Sequence, residues 1–164
     1  MKKSEQIKAK LDAVQEEYVR KVSEVGPGHE AFSEFWRTCG RSLKDQIEQL
    51  KLDLRTELNR EIAVGDGVTM CLYTDRHAYT VIARTAKTLT IRRDKATLNP
   101  CFKPEIIPGG FVGHCVNQDE QSYTYEENPD AMPEKCYWSE KRGGWQSHGR
   151  RIIRGRHEFF DYNF

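Results

Sequence analysis

Val64-Gly65-Asp66-Gly67-Val68-Thr69-Met70-Cys71-Leu72-Tyr73 is where the chain changes its period. Before it, apolar residues recur every three or four positions. After it, they alternate with polar residues or gather in short β-rich runs. Two glycines around an aspartate end a helix and start a turn. The run Val68–Tyr73 is rich in β-formers. The sequence therefore predicts an α+β protein, with a helical part over 1–62 and an antiparallel β part over 63–164.

Upstream, Ile7, Leu11, Val14, Tyr18, Val22 and Val25 form one amphipathic stripe, with Ser4 as a candidate N-cap. Gly26-Pro27-Gly28 breaks it, since Pro27 has no amide donor. A second stripe runs through Phe32, Phe35 or Trp36, Cys39, Leu43, Ile47, Leu50, Leu54 and Leu58. The expectation is a long helical hairpin. At about 1.5 Å per residue the second helix outreaches the first, so two helices alone leave apolar surface uncovered. Packing on the β part would cover it. So would self-association into a homo-oligomer through residues 4–61, the favoured expectation. Gly40 marks either a kink, a close helix crossing or a weak point. Residues 1–62 hold 12 basic and 12 acidic side chains, the balance of a solvated helix face.

Downstream, strands are expected at 68–73, 78–83, 87–92, 121–126, 135–139, 145–147 and 150–153, with another at 157–162. Residues 95–113 carry Pro100, Pro104, Pro108, Gly109, Gly110 and Gly113 and read as a long irregular excursion. Arg142-Gly143-Gly144 reads as a hairpin turn. Short antiparallel strands without a helical pattern among them predict a small barrel or rolled sheet.

The net charge is +1 over 164 residues, so the molecule as a whole makes no electrostatic argument for a partner. Cysteines stand at 39, 71, 101, 115 and 136 with no C-x-x-C pair. That pattern supports neither a disulfide framework nor a metal site and fits free thiols in a reducing compartment. The first 25 residues are rich in Lys and Glu, unlike a secretory signal. No apolar run approaches the roughly 20 residues of a membrane span. The expected location is the cytoplasm, with no membrane partner, no metal and no cofactor.

Catalytic signatures are missing: no G-x-S-x-G elbow, Walker loop, H-E-x-x-H or dinucleotide glycine fingerprint. Asp75-Arg76-His77 offers one acid–base stretch, in which Asp75 would orient His77 as a phosphodiesterase base. The plainer alternative is a strand-connecting turn. The expectation is a binding protein rather than an enzyme.

Charge is segregated in the last third. Residues 119–134 carry six acids and no Lys or Arg, while 135–157 carry seven Lys or Arg and one acid, Glu140. Either these blocks neutralise each other as neighbouring strands, or the basic one is an anion site. Arginine forks match phosphate oxygens, and aromatic faces stack bases. The candidate ligand-binding residues are Arg76, His77, Tyr79, Arg92, Arg93, Trp138, Arg151, Arg154 and Phe160. The arginines would clamp phosphates, and Tyr79, Trp138 or Phe160 would stack on a base.

Several stretches occur in an order that resembles a group of small phage and prophage proteins. They are Val64–Thr69, Thr74-Asp75-Arg76-His77-Ala78-Tyr79-Thr80-Val81, Thr90–Ala96, Tyr123–Pro129, Gly143-Gly144-Trp145 and Arg156–Tyr162. The resemblance covers roughly 64–164 and leaves out the helical part. It implies a phage-encoded accessory protein and assigns no catalytic residue. The functional expectation is an anti-defence protein that sequesters a small anionic nucleotide signal of the host. The alternative is a protein that binds nucleic acid or blocks a nuclease or effector. The small net charge weighs against a strong non-specific nucleic-acid binder.

Overall fold

The chain divides into two compact units, residues 1–60 and 61–164, in the computed structural model, with Gly65-Asp66-Gly67 near the start of the second. Residues 2–25, 29–109 and 113–163 are described. Gly26-Pro27-Gly28 and Gly110 lie outside them.

The first unit consists of α1 (Lys3–Ser23), α2 (His29–Phe35), a wider π turn at Trp36–Gly40 and α3 (Arg41–Arg60). α1 and α3 pack side by side in opposite directions. Lys3 Nζ meets Glu57 at 2.8 Å, and the Tyr18 and Phe35 rings lie 6.1 Å apart. The predicted stripes face inward at Leu11, Phe35, Leu43 and Ile47, while Val19, Phe32 and Leu52 stay exposed. Gly40 is explained by a close approach: a Cβ there would stand 2.6 Å from the Phe35 ring. The π turn brings that ring over Gly40, and any larger residue would displace it.

The second unit is built on six strands closed into a barrel. They are β1 (Gly67–Cys71), β2 (Arg76–Arg84), β3 (Thr88–Arg93), β8 (Pro133–Ser139), β9 (Gly144–Ser147) and β10 (Arg150–Arg154), all antiparallel. The first and last strands pair, Met70 with Ile152, and this closes the cylinder. The stretch 95–113, which reads as an irregular excursion, supplies one strand to each of two short ribbons: β4 (Lys95–Leu98) pairs with β7 (Tyr123–Glu126), on the strand expected at 121–126, and β5 (Ile106–Ile107) pairs with β6 (His114–Cys115).

Alternation explains the core. Val68, Met70, Tyr79, Val81, Leu89, Ile91, Cys136, Trp145 and Ile152 point inward and, with Ile62, form one cluster. The β2–β3 register shifts by one residue at a bulge between Val81 and Ala83, where Val81 pairs with Ile91 and Ala83 with Thr90. β9 and β10 are joined by His148-Gly149, both left-handed at φ 47° and 78°, the tight turn that suits twisted strands.

Residues 155–163 form no regular strand of their own. They fold back across the outer face of β1 and β2 as a tail, touching the sheet through one bridge, Arg76 with Phe159. Thr69 pins the tail twice: its Oγ1 donates to the Gly155 carbonyl at 2.6 Å and accepts from the His157 amide at 2.8 Å. That explains how an outward-facing threonine is fully buried. Among the described residues no helix is long and apolar enough to cross a membrane.

Trp145 is 1% exposed and fills the barrel interior against Trp138. Trp145→Ala is expected to cost roughly 3–5 kcal/mol, read as a lowered urea midpoint of the β unit. A loss below about 1 kcal/mol would contradict its place in the core.

Candidate functional site

Three of the predicted site residues, His77, Tyr79 and Arg93, share one end of the barrel because they face inward on neighbouring strands. The residue that joins them is Glu158, from the tail. Its Oε1 accepts from Arg93 Nη2 at 2.6 Å and from His77 Nδ1 at 3.1 Å. Its Oε2 accepts from Arg93 Nη1 at 2.9 Å and from the Ala78 amide at 2.8 Å. Burial by itself would raise the carboxyl. Hydrogen bonds from His77, Arg93 and the Ala78 amide overcome this and hold it down at about 2. Glu158 is therefore ionised at neutral pH and holds Arg93 as a bidentate pair.

Asp75 does not orient His77. Its Oδ1 accepts from the Asp161 amide at 2.9 Å, and its carbonyl closes the turn to Leu72. The stretch is thus the strand-connecting turn, and the partner of His77 comes from 81 residues along the chain. Tyr79 is 8% exposed, with Arg93 over its ring and its hydroxyl toward Met70 Sδ. Burial raises its phenol above the usual value; Glu134 adds to the rise and Arg93 opposes it. Neither ring face is open to a base. Trp138 packs edge-on against Trp145 and belongs to the rim of the core.

The other arginines divide by partner. Arg156 lies over Gly67 and binds Asp94 Oδ2 through Nε at 2.8 Å and Thr80 Oγ1 through Nη2 at 2.7 Å. A Cβ on Gly67 would stand 2.4 Å from Arg156 Cγ, so glycine is required beneath this side chain. Arg154 stands 3.8 Å from Asp66 and 4.0 Å from Glu61, too far for hydrogen bonds. Arg76 and Arg151 have no carboxylate partner among the described residues. Arg76 instead donates to His157 Nε2 at 3.2 Å and lies 5.5 Å over the Phe159 ring. Arg92 and Gln146 each hold a buried nitrogen, Nε and Nε2, that makes no hydrogen bond. Phe160 is exposed, edge-on to Tyr162.

Strand register places the two unpaired arginines. Cys71 is the cross-strand neighbour of both Arg76 on β2 and Arg151 on β10. The same outward row continues through Gln146 on β9 to the exposed Tyr137 on β8. Arg76 and Arg151 thus flank a small side chain, with backbones about 10 Å apart. The acidic block does not neutralise the basic one. Among the described residues its six carboxylates make no ion pair with residues 135–157, and β7 pairs with β4 instead. Among the described residues no group of three or more His, Cys, Asp or Glu is placed to hold a metal ion.

Cross-strand register is what marks Arg76 and Arg151 out, and sequence spacing does not reveal it. Glu158 and Asp94, the acids that withdraw Arg93 and Arg156 from ligand duty, also escape sequence reading. Both are ordinary carboxylates whose partners lie 62 or more residues away.

Glu158→Ala removes the counter-ion of the partly buried Arg93 and leaves the Ala78 amide without its acceptor, and is expected to cost about 2 kcal/mol. The pH dependence has a definite sign. The folded carboxyl titrates near 2, below its ordinary 4.5. Its contribution is complete above about 4.5 and is lost as pH falls through about 2. Urea unfolding of wild type and Glu158→Gln from pH 7 to 2.5 should show the gap between them shrinking below pH 4.5. A gap independent of pH would refute the assignment.

Comparison with protein-family models, with curated proteins and with solved structures gives no match for this chain.

Proposed function

We propose that the protein captures a phosphate-bearing nucleotide on the outer face of its barrel and acts by stoichiometric sequestration. Its biological setting would be that of a phage or prophage accessory protein acting in the host cytoplasm against a nucleotide signal of defence. The observation that carries the reading is the partition of the arginines. Arg93, Arg154 and Arg156 stand beside carboxylates, whereas Arg76 and Arg151 flank Cys71 with none. Two guanidinium forks without internal counter-ions suit a pair of phosphate oxygens. His157 and Phe159 hold the Arg76 arm in place, which lowers the entropy cost of binding. Exposed Tyr137, farther along the row, offers a ring for stacking.

The helical unit, read as a hairpin, would multiply this site by assembling copies through its exposed Val19, Phe32 and Leu52. The closed barrel bends the row, so its side chains splay outward. A splayed row of Arg76, Arg151 and Tyr137 also suits a single-stranded nucleic acid lying across it, which makes nucleic acid the second reading.

Isothermal titration with ATP, 3′,5′-cyclic nucleotides and cyclic dinucleotides tests the proposal. At least one should bind, and the Arg76→Ala/Arg151→Ala double variant should weaken it at least tenfold. Recovery of the nucleotide unchanged separates capture from hydrolysis. Absence of binding to every nucleotide, with retention of a single-stranded oligonucleotide at low salt, would transfer the function to the second reading. Native mass spectrometry reports the copy number, and a monomer at micromolar concentration would overturn assembly.

A further inference from the structure

A second surface lies at the opposite end of β1. Asp66, Gly67, Tyr125, Arg154, Gly155 and Arg156 line a cleft of about 450 Å³, within the range of small-molecule sites. It differs in character from the Arg76–Arg151 row. Each of its arginines has an acid close by: Asp66 beside Arg154, and Asp94 bound to Arg156. A charge-balanced cleft does not favour a phosphate dianion. It favours a neutral group that presents donors and acceptors side by side.

The polar atoms specify the pattern. Asp66 Oδ2 accepts the Ala63 amide at 3.0 Å, which fixes the carboxylate, while Oδ1 has no partner among the described residues. Arg154 makes no hydrogen bond among the described residues, its nearest acids standing at 3.8 and 4.0 Å. An acceptor and an unspent donor fork therefore stand next to each other. Tyr125 adds a ring whose hydroxyl is anchored by the Glu158 amide at 3.0 Å. Gly155 contributes no side chain and nothing stands within 4 Å of where its Cβ would lie, so a flat ligand can approach the backbone there, beside the Arg156 side chain that covers Gly67.

We infer that this cleft binds a guanine base. Around the guanine ring, N1–H and the 2-amino group are donors, and O6 and N7 beside them are acceptors. Asp66 would accept from the first pair, Arg154 would donate to the second, and Tyr125 would stack on the ring. Adenine reverses the match, because its unprotonated N1 would face the carboxylate. Inosine keeps N1–H and O6 but lacks the 2-amino group, and so ranks between them. The cleft shares no residue with the phosphate reading and stands or falls separately from it.

Nucleosides without phosphate isolate the base contribution. The full chain, labelled with ¹⁵N, is titrated with guanosine, inosine and adenosine, and the Gly67 and Gly155 amide signals are followed. Guanosine should shift both signals and bind about tenfold more tightly than adenosine, with inosine between. Asp66→Asn keeps an oxygen for the Ala63 amide but cannot accept from both donors, and it should erase the preference over adenosine. Arg154→Lys, which loses the fork but keeps the charge, should weaken guanosine about tenfold. Equal binding of guanosine and adenosine, shifts confined to other residues, or an unchanged preference in Asp66→Asn would overturn the inference. Arg76→Ala/Arg151→Ala should leave the guanosine response intact, so failure of phosphate capture and failure of the base site are read apart.

Discussion

One buried carboxylate ties the tail of the β unit to its barrel. Glu158 is placed by a tail with no strand pairing of its own beyond a single bridge. Its four hydrogen bonds tie that tail to β2 and β3. Its chain neighbours, His157 and Phe159, are the groups that hold Arg76. The outward arginine is therefore positioned by an inward salt bridge one residue away on either side. Removing a charge from water costs several kcal/mol unless every lone pair is used. Here both oxygens are used, and the depressed carboxyl reflects that.

A parallel arrangement lies one step earlier in the tail. Arg156 spans Gly67 to reach Asp94, which is 3% exposed, and Thr80. Residues 156 and 158 face the barrel while 157 and 159 face away, as alternation along an extended segment requires. The tail thus reads as polar inside and aromatic outside, the reverse of a core strand. It cannot be held by hydrophobic burial, so it depends on charge-assisted hydrogen bonds.

That reversal decides what could be read from residues alone. The change of period at Val64–Tyr73, the amphipathic helices and the β8–β9 hairpin around Gly143 were legible, since each is a local pattern. β5 and β6, two residues each, are too short to carry a periodic signal. The run 157–162 has the composition of a strand but bonds mainly through side chains, so only one bridge forms. Arginine chemistry was legible as a type and not as an allocation. Nothing local separates Arg93, which is spent on Glu158, from Arg76, which is not; the partners are distant in sequence and meet only when β1 and β10 close the barrel.

Closure also explains why two different surfaces can sit on one short strand. β1 has five residues, with Gly67 at one end and Cys71 at the other. Those ends lie roughly 13 Å apart at about 3.3 Å per residue. Between them the tail covers Thr69 and fills the middle of the face. A single mononucleotide would have to pass over the tail to touch both ends. A ligand with two nucleotide units has the length to do so, because its base and its distal phosphate are separated by about that span. The tail therefore does more than brace Arg76: it separates a charge-balanced cleft from an unpaired cationic row. Any ligand that uses both must be longer than a mononucleotide.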